Sequence, residues 1–206
     1  MKKKIAIIGS GISGLTAGFL LHRLHDITLF EAAPELGGHT ATVDVTHGGH
    51  HYAVDTGFIV FNDRTYPNFL KLLARIGVAS QPAEMSFSVK SPEGLEYNGH
   101  NLDTLFAQRS NLLSPRFYRF VAEILRFNRQ ARAWLAGQSP AEQTLGAFLQ
   151  AGGFSDYFAR HYILPMGAAI WSSTLADMRA FPLGFFLRFF QNHGLLDVAN
   201  RPQWYV

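Results

Sequence analysis

The segment that most constrains the fold lies at the start of the chain and reads KIAIIGSGISGLTAG. An apolar run over residues 5–8 leads into a turn in which Gly9, Gly11 and Gly14 form the pattern G-x-G-x-x-G. A short, continuous apolar run before a glycine turn is typical of a strand that is buried on both faces of a parallel sheet. The glycine pattern alone is a weak signal, so its meaning depends on the residues around it.

The residues after the glycines complete a strand–helix–strand unit. Apolar residues within 15–24 predict a helix of about three turns. The sequence DITLFE then predicts a second strand over 27–30, which ends at Glu31. A strand, a glycine turn, a helix and a strand within about 30 residues form a βαβ unit with a right-handed crossover. The sequence therefore predicts an α/β fold with a Rossmann-like core.

Each glycine of the turn has an expected role in binding a dinucleotide. Gly9 permits the tight turn, Gly11 lets the backbone approach a pyrophosphate, and Gly14 lets the helix pack closely on the sheet. The helix N-terminus would present unpaired N–H groups and a partial positive charge to the phosphates. We therefore expect a phosphate-binding turn made of Gly9, Ser10, Gly11, Ile12, Ser13 and Gly14.

Glu31 indicates which dinucleotide the turn would accept. At the end of the second strand, its carboxylate can accept hydrogen bonds from ribose hydroxyls and would repel a 2′-phosphate. An adenine dinucleotide other than NADP is therefore favoured. The alternative is a βαβ unit whose glycine turn binds nothing.

The sequence after Glu31 reads EAAPELGGHTATV. It resembles the flavin-containing amine oxidase and phytoene desaturase superfamily, in which an acidic residue is followed by a spacer, Gly-Gly-Arg and a Thr or Ser. Glu31, Gly37, Gly38 and Thr42 match that pattern, whereas His39 stands where Arg is usual. The resemblance implies FAD as the cofactor and a glutathione-reductase-type binding core. Its cofactor contacts would include Glu31, Ala32, Gly37, Gly38 and His39.

A second block, YAVDTGFIVF, also resembles this superfamily. The stretches DTGFIVFNDRTYPNF, YILPMGAAIWSS and RFFQNHGLL most closely resemble a bacterial branch of amine-oxidase-like oxidoreductases. The resemblance implies that the segment YAVDTGFIVF passes close to the flavin. Gly57 would then allow close backbone approach, while Phe58 and Ile59 would shield the ring from water and Thr56 would complete the segment. The alternative is a strand-ending turn in which Asp55 caps the next element.

The remainder of the chain is predicted to be mostly helical from about residue 101. We expect residues 1–65 to form the FAD-binding segment and residues 66–206 to form a substrate-domain portion with a β hairpin near 85–97. The resemblance implies that this second part is an inserted substrate domain, incomplete at its C-terminal end. Its phenylalanine-rich stretch 181–190 is either the wall of an apolar pocket or an ordinary helical core. Helices are predicted at 67–77, from Ser114-Pro115 onward, and near 141–150, 155–171 and 183–195; a hairpin is predicted at 40–54 and a terminal strand at 204–206.

Composition narrows the remaining classes of protein. The 206 residues carry a net charge of +3 without a basic cluster typical of nucleic-acid binding. The absence of cysteine excludes disulfides and thiolate metal sites and fits a reducing cytoplasm. His47, His50 and His51 have no carboxylate at a recognisable ligand spacing, so no metal site is expected. No apolar run approaches the roughly 20 residues of a transmembrane helix.

These observations lead to one leading hypothesis and two alternatives. The leading hypothesis is an FAD-dependent oxidoreductase that oxidises a C–N or C–C bond of a small apolar or amine substrate by hydride transfer to flavin. No catalytic residue is assigned, and a second half would come from further sequence or another chain. The alternatives are a non-catalytic nucleotide-binding module or inactive fragment, and an NAD-linked dehydrogenase, which Gly37-Gly38 argues against.

Overall fold

A computed structural model describes residues 1–137, 142–197 and 200–206. The chain divides into two compact units. Unit 1 comprises residues 1–83 and 203–206, and unit 2 comprises residues 84–202. The predicted helix near 141–150 begins at residue 141, which lies outside the described residues.

The described residues form nine strands and nine α-helices. The strands are β1 Lys4–Ile8, β2 Asp26–Phe30, β3 Ala41–His47, β4 His50–Gly57, β5 Phe61–Asn62, β6 Pro82–Ala83, β7 Ser88–Lys90, β8 Glu96–Asn98 and β9 Trp204–Tyr205. The helices are α1 Ile12–Leu21, α2 Pro67–Ile76, α3 Leu102–Leu105, α4 Pro115–Ala136, α5 Leu145–Ala151, α6 Asp156–Phe158, α7 Leu164–Trp171, α8 Leu175–Ala180 and α9 Leu183–Asn192.

Unit 1 begins with the predicted βαβ element. Strands β1 and β2 are parallel, in a register that runs from Lys4 opposite Asp26 to Ile8 opposite Phe30. Strands β3 and β4 form an antiparallel hairpin. Strand β9 lies between β5 and β6 and pairs with both in the antiparallel sense. The α/β class with a Rossmann-like core is confirmed.

Aromatic packing explains why unit 1 extends beyond residue 65. Phe61 is buried, and its ring lies 5.0 Å from that of Phe69 on α2 and 5.7 Å from that of Tyr205 on β9. Helix α2 and the last residues of the chain therefore pack with the first segment. The compact unit therefore extends to residue 83 and includes residues 203–206, whereas the predicted FAD-binding segment ends at residue 65.

The βαβ element of unit 1 leaves much apolar surface exposed. Side chains alternate between exposed and half-buried along β1 and β2, and α1 has no buried residue. Ile8 is 80% exposed, Leu24 67% and Phe30 52%. Parallel sheets normally have both faces covered. Within the described residues, the faces of β1 and β2 are not fully covered.

Unit 2 is a helical unit with a continuous phenylalanine-rich core. Helix α4 starts where Ser114 and Pro115 predict, since the Ser114 hydroxyl accepts a hydrogen bond from the Phe117 N–H. In the stretch 181–190, Phe186 and Phe190 are fully buried and stack at 4.2 Å, whereas Phe185 is exposed, so one face of this stretch belongs to the helical core. None of the described helices combines the length and apolar character needed to cross a membrane.

The predicted helix 155–171 is in fact three segments. Helix α6 is followed by a π-helical segment, Ala159–Ile163, and then by α7. Pro165 lies in the first turn of α7 and has no N–H, so a regular α-helix would leave the His161 carbonyl without its usual partner. The hydroxyl of Tyr97 donates to that carbonyl at 2.7 Å. Helix α8 was not predicted.

Candidate dinucleotide-binding site

The glycine turn between β1 and α1 is tightly closed. Gly9 has φ +90° and donates its N–H to the carbonyl of Phe30 at 2.7 Å, which ties the end of β1 to the end of β2. A Cβ on Gly14 would lie 1.9 Å from the carbonyl oxygen of Gly9. Only a residue without a side chain can therefore bring α1 this close to the turn.

Glu31 is held beside this turn by four hydrogen bonds. One carboxylate oxygen accepts from the N–H and the hydroxyl of Ser10 at 2.7 and 2.5 Å. The other accepts from the N–H groups of Ala32 and Ala33 at 2.7 and 2.8 Å. These hydrogen bonds lower the pKa of Glu31 to about 2; the largest contribution comes from the N–H of Ala33, and the next from the hydroxyl and the N–H of Ser10. The side chain is therefore ionised throughout the physiological range.

The geometry refines the expected role of Glu31. An ionised carboxylate has about four positions at which it can accept a hydrogen bond, and donors from the chain itself occupy that number here. A ribose hydroxyl must therefore take the place of one of these donors. The hydroxyl of Ser10 is the most easily displaced, because it rotates about a single bond whereas the N–H groups are fixed by the backbone.

The Gly-Gly turn packs directly against the glycine turn. Gly37 donates its N–H to the carbonyl of Ser10 at 3.1 Å and lies 3.2 Å from the Ser10 hydroxyl. A Cβ on Gly38 would lie 2.9 Å from the Cα of Gly11. In contrast, a Cβ on Gly11 would meet nothing within 4 Å. The two motifs thus form one corner with open space above Gly11, which fits the phosphate-bearing half of a dinucleotide.

The Thr56–Ile59 segment begins in the last two residues of β4 and continues beyond the hairpin. Gly57 pairs with Ala41, and the hydroxyl of Thr56 donates to the Ala41 carbonyl at 3.2 Å. Phe58 has φ +52°, which is unusual for a bulky residue, and its ring packs edge-on against Phe69 at 5.4 Å. Phe58 and Ile59 are both about half exposed.

The structure shows how Asp55 and the three histidines of the hairpin are placed. Asp55 lies within β4 and accepts a hydrogen bond from the Thr42 hydroxyl at 2.7 Å, so it does not cap the next element. The three histidines of the hairpin lie in β3 and β4, where His51 bonds the hydroxyl of Thr46 at 2.9 Å. No group of three metal-binding side chains occurs among the described residues.

Sequence reasoning gave no role to Asn62. It is fully buried, and its side-chain oxygen accepts from the N–H groups of Arg64 and Thr65, each at 2.9 Å. This turn sets the path of the chain into α2. The only available signal was the polar sequence NDRT before Pro67, which is typical of a turn.

The N-terminal part of the chain is similar in sequence to known proteins. Residues 7–76 match a family model described as an NAD(P)-binding Rossmann-like domain. A carotenoid phi-ring synthase from Chlorobaculum tepidum is 34% identical over 79 residues, which is 38% of this chain and 12% of that protein. A zeta-carotene desaturase from Zea mays is 35% identical over 77 residues, which is 37% of this chain and 13% of that protein.

Two solved structures share the fold over almost the whole chain. An oxidoreductase from Methanosarcina mazei has a TM-score of 0.54 at 15% identity and covers 99% of this chain, but only 45% of its own length is matched. A putrescine oxidase in complex with putrescine has a TM-score of 0.54 at 18% identity, with 100% of this chain and 46% of its own length matched. The chain thus spans less than half of these structures.

The fold and the corner around Gly11 define the N-terminal part of the chain as a Rossmann-like dinucleotide-binding segment. The two sequence relatives, a carotenoid phi-ring synthase and a zeta-carotene desaturase, support the resemblance of that part to the superfamily that includes phytoene desaturases. The two solved structures share its fold.

Proposed function

We propose that the corner formed by Gly9–Gly14, Glu31 and Gly37-Gly38 binds the ADP half of FAD, and that the chain forms the N-terminal portion of an FAD-dependent oxidoreductase. The observation that carries this proposal is the meeting of two glycine motifs and an ionised carboxylate at the ends of β1 and β2. Ligands of open α/β sheets bind at that end of the strands.

Three features of the corner suit an adenine dinucleotide. The N-terminus of α1 offers partial positive charge to a pyrophosphate, and the open space at Gly11 gives that group room. Glu31 would accept from a ribose hydroxyl after the Ser10 hydroxyl turns away. The same charge opposes a 2′-phosphate, so FAD and NAD are favoured over NADP.

The extension beyond Glu31 favours FAD over NAD. Gly37-Gly38 forms the second wall of the corner, and the segment Thr56–Ile59 follows it along the hairpin. We assign to this segment the role of approaching the isoalloxazine, with Gly57 giving close backbone access and Phe58 and Ile59 limiting water. His39 would contribute through its backbone, beside Gly38.

The expected reaction is the oxidation of a small apolar or amine substrate. FAD held at the corner of Gly9–Gly14, Glu31 and Gly37-Gly38 would supply a hydride acceptor for a substrate C–H bond beside nitrogen or carbon, the substrate would also lose a proton, and molecular oxygen or another acceptor would reoxidise the reduced flavin. The carotene desaturase and putrescine oxidase relatives support these two substrate classes. Unit 2 would provide contacts to the substrate. The sequence without cysteine fits a location in the reducing cytoplasm.

The exposed apolar surface of unit 1 supports a contribution from further polypeptide. Ile8, Leu24 and Phe30 would be covered if additional strands joined the sheet at β1, either from the same protein or from another chain. The solved structures with the same fold contain more than twice the matched length. We therefore propose that a complete flavin site needs that additional polypeptide.

Titration of the purified chain with FAD, NAD⁺ and NADP⁺ tests the cofactor assignment. We expect FAD to bind with a change in flavin fluorescence and NADP⁺ to bind least well. Glu31→Gln should weaken FAD binding by about 10- to 100-fold, the effect of losing a charged hydrogen bond. Glu35→Gln serves as the matched control, because Glu35 is an exposed carboxylate outside the corner.

Three outcomes would separate the alternatives. Preference for NAD⁺ over FAD would replace the flavoprotein with an NAD-linked dehydrogenase. Binding of NADP⁺ as tightly as NAD⁺ would contradict the role given to Glu31. Failure of every dinucleotide to bind would leave no support for a nucleotide-binding role of this chain.

A further inference from the structure

Unit 2 contains a polar cavity that the proposed flavin site does not use. Its volume is about 280 Å³, and it lies between the β7–β8 turn, the start of α4 and the π-helical segment. Such a volume equals roughly nine water molecules at about 30 Å³ each, so it suits a ligand of about ten non-hydrogen atoms. The lining residues that carry polar or charged groups include Glu93, Asn111, Ser114, Arg116, Tyr157, Arg160 and His161.

Arg116 brings an unpaired positive charge to this cavity. Its guanidinium lies over the Tyr157 ring, 3.9 Å from the ring centroid. Across the described ranges it has neither an ion pair nor a hydrogen bond. Stacking on the ring limits the motion of the guanidinium and leaves its N–H groups available, since a stacked guanidinium donates within its own plane.

The N-terminus of α4 adds to the positive potential at the same place. The helix has 22 residues, and Ser114 caps its first turn. Partial positive charge at the start of a long helix favours an anion there. Because Arg116 is itself in the first turn, a bound anion would meet both the side-chain charge and the helix dipole.

His161 independently indicates a ligand. It is only 6% exposed, it lines the cavity, and no hydrogen bond to its ring is found within the described parts of the chain. Its ring instead packs edge-on against Tyr157 at 4.3 Å. Buried polar groups are nearly always hydrogen-bonded, so a buried imidazole facing a cavity calls for a partner within that cavity. Its position in a π-helical segment is also common at functional sites.

The charges around the cavity indicate which anion it suits. Arg160 is paired with Asp156 at 2.8 Å, and Asp156 also binds Arg179 at 2.8 Å. Glu93 opposes the charge of Arg116, and burial lowers the pKa of His161, which favours its neutral form near pH 7. The net positive field is therefore small, and a singly charged carboxylate matches it better than a phosphate dianion.

We infer that this cavity binds a small molecule carrying one carboxylate, with Arg116 as its charge partner and His161 as a hydrogen-bonding partner deeper in the cavity. The apolar walls, Leu95 and the ring of Tyr157, accommodate the rest of the ligand. This site lies within unit 2, and the inference does not depend on the binding of FAD.

Benzoate is a suitable probe, because it combines one carboxylate with an aromatic body of the right size. Calorimetric titration of the full chain with benzoate should give binding that Arg116→Ala weakens at least about tenfold, as expected for a charged hydrogen bond. Arg119→Ala removes the same charge one turn along α4, outside the cavity, and should change the affinity less than twofold. Benzyl alcohol should not bind measurably.

A second measurement locates the ligand independently of any loss of stability. The ring ¹H–¹⁵N signals of His161, assigned by their disappearance in His161→Gln, should shift with benzoate, while those of exposed histidines such as His22 should not. Gly11→Ala should leave benzoate binding unchanged, which separates this site from the dinucleotide corner. The inference is overturned if no benzoate binds, if Arg116→Ala has no effect, or if phosphate binds more tightly than benzoate.

Discussion

The two glycines Gly11 and Gly14 lie three residues apart, yet the structure predicts opposite consequences for adding one methyl group to each. At Gly14 the new Cβ would lie 1.9 Å from the Gly9 carbonyl oxygen and 3.3 Å from a methyl group of Ile7. Since ordinary contacts begin at about 3.5 Å, α1 and the turn must separate by more than about 1 Å. At Gly11 the new methyl group would point into open space.

The expected free energies follow from these distances. Overpacking of this kind costs about 1–3 kcal/mol, and loss of the Gly9–Phe30 hydrogen bond adds about 1 kcal/mol. The higher helix propensity of alanine offsets about 1 kcal/mol. Gly14→Ala should therefore destabilise the βαβ element by about 1–3 kcal/mol. For Gly11→Ala, the loss of a favourable N-cap residue and the lower entropy of the unfolded chain nearly cancel.

Hydrogen exchange measured by mass spectrometry over residues 4–30 separates the two effects. Gly14→Ala should accelerate amide exchange in β1 and β2 by about 5- to 150-fold, as the free-energy range implies. Gly11→Ala should leave exchange near that of the wild type but should weaken FAD binding strongly, because its methyl group occupies the space above the turn. Normal exchange in Gly14→Ala would refute the packing argument, and full FAD affinity in Gly11→Ala would refute the phosphate position.

Three further predictions follow from individual hydrogen bonds. The pKa of Glu31 is lowered to about 2, so the stabilisation that its carboxylate gives the fold is complete above about pH 4.5 and is lost only as the pH falls toward 2. Since Glu31 does not change its charge between pH 5 and 8, its ionisation should not alter the FAD affinity, measured by fluorescence, in that range. Ser10→Ala removes the hydroxyl that competes with a ribose for Glu31, and FAD should bind more tightly, by a few-fold in the same titration. Tyr97→Phe leaves the buried carbonyl of His161 unsatisfied and should destabilise unit 2 by about 1–3 kcal/mol in thermal unfolding, whereas Tyr118→Phe, which removes an exposed hydroxyl–carbonyl bond of 3.0 Å, should have little effect.

Local signals in the sequence were sufficient for the elements of the dinucleotide corner. The apolar run before Gly9, the helix that follows and the strand ending at Glu31 lie within one short stretch, and the structure contains each of them. Helix α4 is predicted equally well, because Ser114 and Pro115 are a cap and a first-turn residue whose preferences depend on adjacent backbone groups. In both cases the determining interactions join residues close in sequence.

Interactions between distant residues could not be predicted in the same way. The π-helical segment depends on Pro165 withdrawing a donor from His161 and on Tyr97, 64 residues away, replacing it. The boundary at 83/84 similarly depends on the packing of Phe61 against Tyr205. Neither pairing has a spacing that a periodic pattern would indicate, because both are created by tertiary folding.

The hydrogen bonding of Glu31, whose carboxylate accepts four hydrogen bonds, could be predicted only in part. Its position at the end of β2 was predictable, since parallel strands align their carboxyl ends beside the glycine turn. Its full set of partners was not, because the glycine motif does not indicate that the Ser10 side chain bonds to Glu31. The hydroxyl of Ser10 donates to Glu31 and accepts from the N–H of Gly37, and it thereby connects the two glycine motifs.

The division between local and distant interactions also determines which part of FAD this chain should hold. The corner between Gly9 and Gly38 is built mainly from backbone contacts within unit 1, so we expect it to bind the ADP half without further polypeptide. Phe58 and Ile59 are about half exposed, and alone they cannot exclude water from a flavin ring. ADP should therefore compete with FAD at nearly equal affinity, and the bound flavin should remain accessible to iodide quenching. A large preference for FAD over ADP would show instead that this chain already surrounds the ring.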